Sequence, residues 1–251
     1  MNRYFLEVAY LGKGYAGFQI QQNAVTIQSE IERTFQIFFR KEVKLTGSSR
    51  TDASVNALQN YFHFDWEGEI LQTSIYNLNA ILPAGIVIKS IRKVKPEAHC
   101  RFDAVTREYK YFTYAAKNPF LQETAYYYPY TLNKTKLDEA AALLCRFTNF
   151  ESFSKRNTQV KTFECRIETS EWIWEKECLV YHVIGNRFLR GMVRGLVATM
   201  LQVGRGKMSI EEFREVIESR DSSKADFAVP GQGLFLVSVN YPEGYFGLQG
   251  G

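Results

Sequence analysis

The most restrictive feature of this chain is an order of elements that it runs through twice. Arg3 to Tyr10 is rich in strand formers and stops at the turn Gly12-Lys13-Gly14, and Thr26 then opens a helix in which Ile27, Ile31, Phe35 and Phe38 recur at helical spacing. Val43 to Ser48 and Asn60 to Phe64 read as strands on either side of a polar loop; Ile75, Leu78 and Leu82 mark a second helix, and Ile86 to Val94 a closing strand. The second half follows with a strand at Glu108 to Ala115, a helix near Leu137 to Leu144, strands at Cys165 to Trp174 and Cys178 to Gly185, a helix at Leu189 to Gln202 and a last strand at Leu234 to Asn240. One helix is inserted: Ser209 and Glu212 form a capping box around Ile210, ahead of Phe213, Val216 and Ile217. The order of elements repeats; the residues do not.

Two consecutive split β-α-β units predict an α+β fold of two tandem ferredoxin- or RRM-like halves with antiparallel sheets, 1–104 and 105–251. Helices then cover one face of each sheet and leave the other free. Such a face suits RNA, and it equally suits the other sheet or a second subunit. The net charge of +4 is too small to coat a polyanion, so nucleic acid would have to meet a local patch. Aromatic residues make up 15% of the chain, which favours a dense core over stacking surfaces. Cys100, Cys145, Cys165 and Cys178 form no C-x-x-C pair, and His63, His99 and His182 lie far from such spacing, so buried free thiols and no metal site are expected. The amino terminus lacks an apolar signal core, and no run approaches the roughly 18 apolar residues of a bilayer span. A cytoplasmic protein without a membrane segment is expected.

The loop Gly47-Ser48-Ser49-Arg50-Thr51-Asp52-Ala53-Ser54-Val55-Asn56-Ala57 is, on its residue types alone, a turn stabilised by Asp, Ser and Asn. Yet Arg50-Thr51-Asp52-Ala53 with Val55, Ala57 and Phe62-His63-Phe64 resembles the G-R-T-D-A-G-V-H-A…H-F signature of the TruA family of tRNA pseudouridine synthases. Four further blocks resemble the family in the same order. They are Tyr10-Leu11-Gly12 with Gly17-Phe18-Gln19-Ile20-Gln21, Arg101-Phe102-Asp103-Ala104 with Arg107-Glu108-Tyr109-Lys110-Tyr111, Phe188-Leu189-Arg190-Gly191-Met192-Val193-Arg194, and Gly233-Leu234-Phe235-Leu236-Val237. The likeness covers almost the whole chain. It departs from the pattern where the family has Gly and this chain has Ser49 and Ser54, and where the family has His and this chain has Asn56. If position 54 needs a positive φ, Ser sits there at a cost on the order of 1 kcal/mol.

The resemblance implies an isomerase that detaches uracil N1 from ribose, turns the base and joins C5 to the sugar, with no cofactor. Asp52 is the essential carboxylate, attacking sugar or base or promoting departure through a glycal-like species. Held against a base and away from water, such a carboxylate needs a cation to stay ionised. The M-V-R match nominates Arg194, which by position alone is also a snorkelling arginine on a helix border shared with Arg187 and Arg190. Arg187, Arg190, Arg194, Arg205 and Lys207 occur between Gly185 and Ser209 without an acidic residue, as a phosphate track or as an ordinary solvated basic face.

Strand alternation puts Arg107, Tyr109 and Tyr111 on one face. By resemblance Tyr109 stacks on the target uracil and takes its C5 proton, where the residues alone equally give a core tyrosine. Arg50 can stack where an everted base has left, or pair structurally with an acid. Through their blocks Leu234 joins the substrate-binding residues and Gln19 the RNA-binding ones. The resemblance further implies an active cleft between the halves, a homodimer holding one tRNA across both subunits, and targets in the anticodon stem-loop. Two rivals are a non-catalytic RNA-binding protein that kept the scaffold and a synthase acting on another RNA.

Overall fold

Strict alternation along the first strand fixes what each face of the first sheet holds. In β1 (Asn2–Tyr10), Tyr4, Leu6 and Val8 point to one side, and Phe5 and Glu7 to the other. β1 pairs antiparallel with both β3 (Asn56–Trp66) and β4 (Ile86–Val94), so Leu6 lies opposite Phe62 and Tyr4 opposite Phe64, while Phe5 faces His63 and Glu7 faces Tyr61. The first face is apolar because helix α1 (Ile27–Phe39) covers it. Thr26 caps α1 through the Ser29 N–H, and Ile27, Ile31 and Phe35 are its buried stripe, with Phe35 edge-on to Phe64 at 5.4 Å. Helix α2 (Ser74–Ile81) packs on β4.

The computed structural model describes residues 1–155 and 160–246. It divides into one unit of Met1–Val105 with Leu236–Gly251 and another of Thr106–Phe235. The sheet is mostly antiparallel. In the first unit the strand order is β4-β1-β3-β9, where β9 is Leu234–Asn240 and a two-residue β2 (Thr46–Gly47) pairs with β3. The halves drawn from sequence differ from these units in two respects, a boundary one residue later and Leu236–Gly251 grouping with the first unit. Its residues pair there: Asn240 accepts the Val105 N–H at 2.7 Å, and Gln59 Oε1 accepts the Val239 N–H at 3.1 Å.

That tail also overturns the expectation that the helix-free face is left bare in the first unit. Tyr241, Tyr245 and Phe246 pack on Phe5 at 5.5, 5.8 and 5.9 Å between ring centroids, and Tyr241 and Phe246 also meet Tyr61. Arg92 lies over the Phe246 ring at 5.1 Å, and the Tyr241 hydroxyl donates to Cys100 O at 2.6 Å. The expected strand from Val43 shrinks to β2 because α1 takes its backbone groups: Glu32 accepts the Leu45 N–H and Gln28 donates to Leu45 O.

The second unit orders its strands β5-β8-β7, namely β5 (Thr106–Tyr114), β7 (Ile167–Glu175) and β8 (Cys178–Gly185), with short β6 (Tyr126–Tyr127) parallel to β5. Helices α3 (Lys134–Leu144), α4 (Met192–Gly204) and α5 (Ile210–Glu218) pack together, α3 also against β7, and Ser209 caps α5 through the expected capping box. The expected helix start at Leu189 moves to Met192. Gly191 takes a left-handed φ of 76° ahead of it, which ends the preceding turn and starts α4 afresh. Cys100, Cys165 and Cys178 are buried, but Cys145, expected buried, is exposed just after the C-terminus of α3. No helix among the described residues is long and apolar enough to cross a membrane.

Tyr241 is the test of the tail's role. Tyr241→Ala removes an aromatic ring and a bonded hydroxyl from the face over Phe5 and is expected to cost about 3 kcal/mol in urea unfolding; a loss under about 0.5 kcal/mol would mean that the tail merely rests on the sheet.

Candidate active site

Asp52 is half-buried on a loop whose backbone is held from three directions. From below, Asn60, fully buried in β3, donates to Ser49 O at 2.9 Å and to Tyr10 Oη at 3.1 Å, and the Tyr10 hydroxyl is 2.8 Å from Thr51 Oγ1. From the side, the Phe18 N–H bonds Thr51 O at 3.1 Å, and within the loop the Val55 N–H bonds Asp52 O at 3.2 Å. From the strand end, Asn56 Oδ1 accepts the Gly12 N–H at 2.8 Å.

Two glycines allow the segment 10–18 to lie this close. A Cβ at Gly12 would sit 2.2 Å from Val55 O, and at Gly17, whose φ is 108°, 3.0 Å from Thr51 O. The block Tyr10-Leu11-Gly12 with Gly17-Phe18 is thus the bed of the Asp52 loop, and Phe18 stacks on Phe62 at 4.4 Å beneath it.

The family departures are built into this bed. Ser54 has a φ of 62°, the left-handed conformation expected of the glycine it replaces. Asn56, in place of His, is the acceptor that satisfies Gly12. Ser49 is buried and its carbonyl is the one that Asn60 holds.

Arg50 leaves this loop exposed, and among the described residues it makes no hydrogen bond or ion pair. With Gln19, also exposed, it lines a cavity of about 290 Å³ that His99, Arg101 and Phe102 complete. Sequence reasoning quoted Arg101-Phe102 as part of a block but did not nominate it. Beneath Phe102 the fold gathers His63, His99 and Cys100, whose ligand-type atoms lie within 4.8 Å of one another. Their bonding is with one another and the backbone around them: His63 Nδ1 lies 3.2 Å from Cys100 Sγ and accepts the Cys100 N–H, the Cys100 thiol donates to Thr46 O, and His99 Nδ1 accepts the N–H groups of Arg101 and Phe102. Burial, then the charges of His99 and Arg3, lower the His63 pKa to about 4.

In the second unit, Tyr109 sits half-buried on β5, edge-on to Phe188 at 5.2 Å. Its neighbours on that face are fixed: buried Arg107 donates to Asn186 O at 2.8 Å, and buried Tyr111 donates to Pro230 O at 2.8 Å. Arg194, in the first turn of α4, grips Val229 O through Nε at 2.9 Å and Nη2 at 2.7 Å. Arg194 and Tyr111 therefore clamp one turn, 229–233, which delivers the buried Leu234.

Arg187 and Arg190 precede α4 instead of riding on it. Arg205 and Lys207 lie past its other end, about 16 Å from Arg194 along the axis at 1.5 Å per residue. Arg205 is spread over the Tyr130 ring at 3.6 Å. The expected track is thus two groups at opposite ends of one helix.

A family model described as tRNA pseudouridine synthase matches residues 140–242. The chain is 44% identical over 251 residues to tRNA pseudouridine synthase A of Parabacteroides distasonis, covering 99% of this chain and all of that protein. The chain belongs to the TruA family of tRNA pseudouridine synthases. Similarity extends to the proteins of the same name from Azobacteroides pseudotrichonymphae, at 42% identity over 98% of this chain and 99% of that one, and from Staphylococcus aureus, at 34% over 96% and 91%. Against this family background Ser54 and Asn56 are changes within an intact loop.

Ser54 can be ranked by substitution. Ser54→Gly is expected to keep or raise the melting temperature, whereas Ser54→Val, β-branched at positive φ, should lose about 1–2 kcal/mol; the reverse order in thermal unfolding would show the strain to be absent. His63 gives a pH signature. Its folded pKa lies below its unfolded value near 6.5, so its contribution is complete above that value and drains away as pH falls toward 4. His63→Gln should flatten the stability curve across that window by up to about 1.4 kcal/mol per pH unit, and parallel wild-type and variant curves would refute it.

Proposed function

We propose that this chain converts uridine to pseudouridine in transfer RNA, at uridines of the anticodon stem-loop, with Asp52 as the essential carboxylate. The observation that carries the reading is the fixation of the Asp52 backbone by Phe18, Tyr10, Asn60 and Asn56, which aims one half-buried carboxylate from a rigid bed. Preorganisation of that kind is what a group acting on a single bond requires.

The isomerisation breaks the bond from ribose C1′ to N1 and makes one from C1′ to C5. The C5 proton goes to a base and then to solvent, and N1 ends protonated. No electron changes hands and no group is donated, so side chains suffice. In this reading Asp52 initiates departure of the base and Arg194 keeps that carboxylate ionised. Tyr109 stacks on the uracil and takes the C5 proton, and Arg50 fills the space left by the everted nucleotide. Leu234 lines the site, while Gln19, Arg187, Arg190, Arg205 and Lys207 meet the RNA backbone.

The finer features belong to the same proposal: two split β-α-β halves, a homodimer that holds one tRNA across both subunits, and action in the cytoplasm. The intact bedding around Ser54 and Asn56 supports an enzyme over a binder that has lost its chemistry.

Purified protein incubated with tRNA tritiated at uracil C5 should release the label. Asp52→Asn should slow release on the order of a thousandfold or more while leaving tRNA affinity within about threefold of wild type, since little of it rests on one carboxylate. Undiminished release from the variant, or none from wild type, would overturn the assignment.

A further inference from the structure

We propose that the cavity beside Arg50 is a subsite for a second nucleotide of the substrate RNA, whose base stacks on Phe102 and whose phosphate meets Arg50 and Arg101. The inference rests on the reading of the chain as a tRNA-modifying enzyme and extends it by a site that shares Arg50 and Gln19 with it.

The cavity is small, on the scale of one unit of a larger ligand. At about 290 Å³ it lies at the lower end of the roughly 300–1,000 Å³ of pockets that enclose a whole small molecule. Its lining selects the chemistry, for it holds Arg50 and Arg101 and no carboxylate. Burial lowers the pKa of His99, which therefore adds a neutral ring. Two guanidinium groups beside an aromatic ring match a phosphate joined to a base, the pairing by which unstacked RNA is held.

Phe102 is the least expected residue here, since a phenyl ring 75% exposed gains nothing from burial. It is nevertheless held in place. His99 lies against it at 4.1 Å between ring centroids and 33° between planes, and Arg101 lies 5.8 Å from its centre. The turn beneath is cross-braced: His99 N–H donates to Asp103 Oδ2 at 2.8 Å, Asp103 N–H to His99 O at 3.1 Å, and the Tyr245 hydroxyl to the same Asp103 oxygen at 2.5 Å. An apolar ring presented on a braced turn loses little freedom when a base lands on it.

The subsite also sits where a neighbouring nucleotide has to pass. Arg50 is two residues before Asp52, and Thr46 and Gly47, at the root of the same loop, form part of the cavity wall. A nucleotide held here flanks the one delivered to Asp52, so Phe102 is a positioning residue and not a catalytic one.

The test is a coupling measurement on the full chain. Anticodon stem-loop RNAs, each with one base removed, are titrated against wild type and Phe102→Leu. With wild type, one position other than the target should lose roughly tenfold in affinity when its base is absent, and in Phe102→Leu that penalty should vanish. Phe102→Trp should restore it. On intact tRNA, Phe102→Leu should raise KM by a similar factor with kcat within about twofold.

Normal tritium release with no coupled position would overturn the subsite alone. A coupled position without tritium release would overturn the catalytic assignment and keep the subsite, and failure to bind RNA at all would overturn both.

Discussion

An acid on a loop is aimed only as well as the backbone beneath it, and here the decisive contact is the Thr51 carbonyl on the Phe18 N–H. That bond exists because Gly17 has no side chain to push the two segments apart. The same segment then starts α1, through Ile27 N–H on Gly17 O and Gln28 N–H on Phe18 O. α1 in turn uses Gln28 and Glu32 to hold Leu45, at the other end of the Asp52 loop. Loop, helix and strand thus brace one another in a closed circuit, and a shift in any of them is felt at the carboxylate.

The circuit depends on the sheet having two buried faces. One is filled by α1 with Phe35, Phe62 and Phe64 and is largely apolar, with Asn60 its bonded polar member beneath the Asp52 loop. The other carries Glu7, Arg3 and Asp65 among its aromatic residues and needs a cover that supplies partners. Glu7 finds them within the sheet, in Gln59 and Ser90, and Arg3 holds Asp65 at 2.8 Å. The tail's tyrosines fit such a surface because each brings an apolar body and a polar tip. Tyr245 caps Asp103, which braces the turn bearing Phe102. Packing of the last described residues therefore reaches the edge of the site.

The elements most legible in the sequence were those whose pattern is local. β1, β4 and β8 follow from runs of strand formers, and α1 and α5 from caps and a periodic stripe, since these forces act within a few residues. The strand expected from Val43 failed because side chains of the preceding helix, Gln28 and Glu32, claimed its backbone. The start of α4 was misplaced because Gly191 was read as a block residue, not as a left-handed stop. The covered face was invisible, as nothing in Tyr241–Phe246 announces which surface it will meet. Of the candidate residues, Asp52 and Arg50 were nominated through motif order and Tyr109 through strand alternation and its motif block; the bed beneath Asp52 and the cavity at Phe102 are products of tertiary contact.

The modest net charge can now be understood through what the cations are already doing. Arg107 is committed to Asn186 O, Arg194 holds Val229 O, and Arg205 covers Tyr130. These guanidinium groups are spent first on positioning, and their fixed orientation suits a planar group to recognition by direction instead of by bulk attraction. Arg50 and Lys207 are exposed, and in the proposed reading they would supply a different share, the long-range pull on phosphates that salt screens. On the proposed reading a net charge of +4 is compatible with holding a polyanion specifically: few charges would draw the RNA in, and the braced ones together with the aromatic rings would decide how it lies.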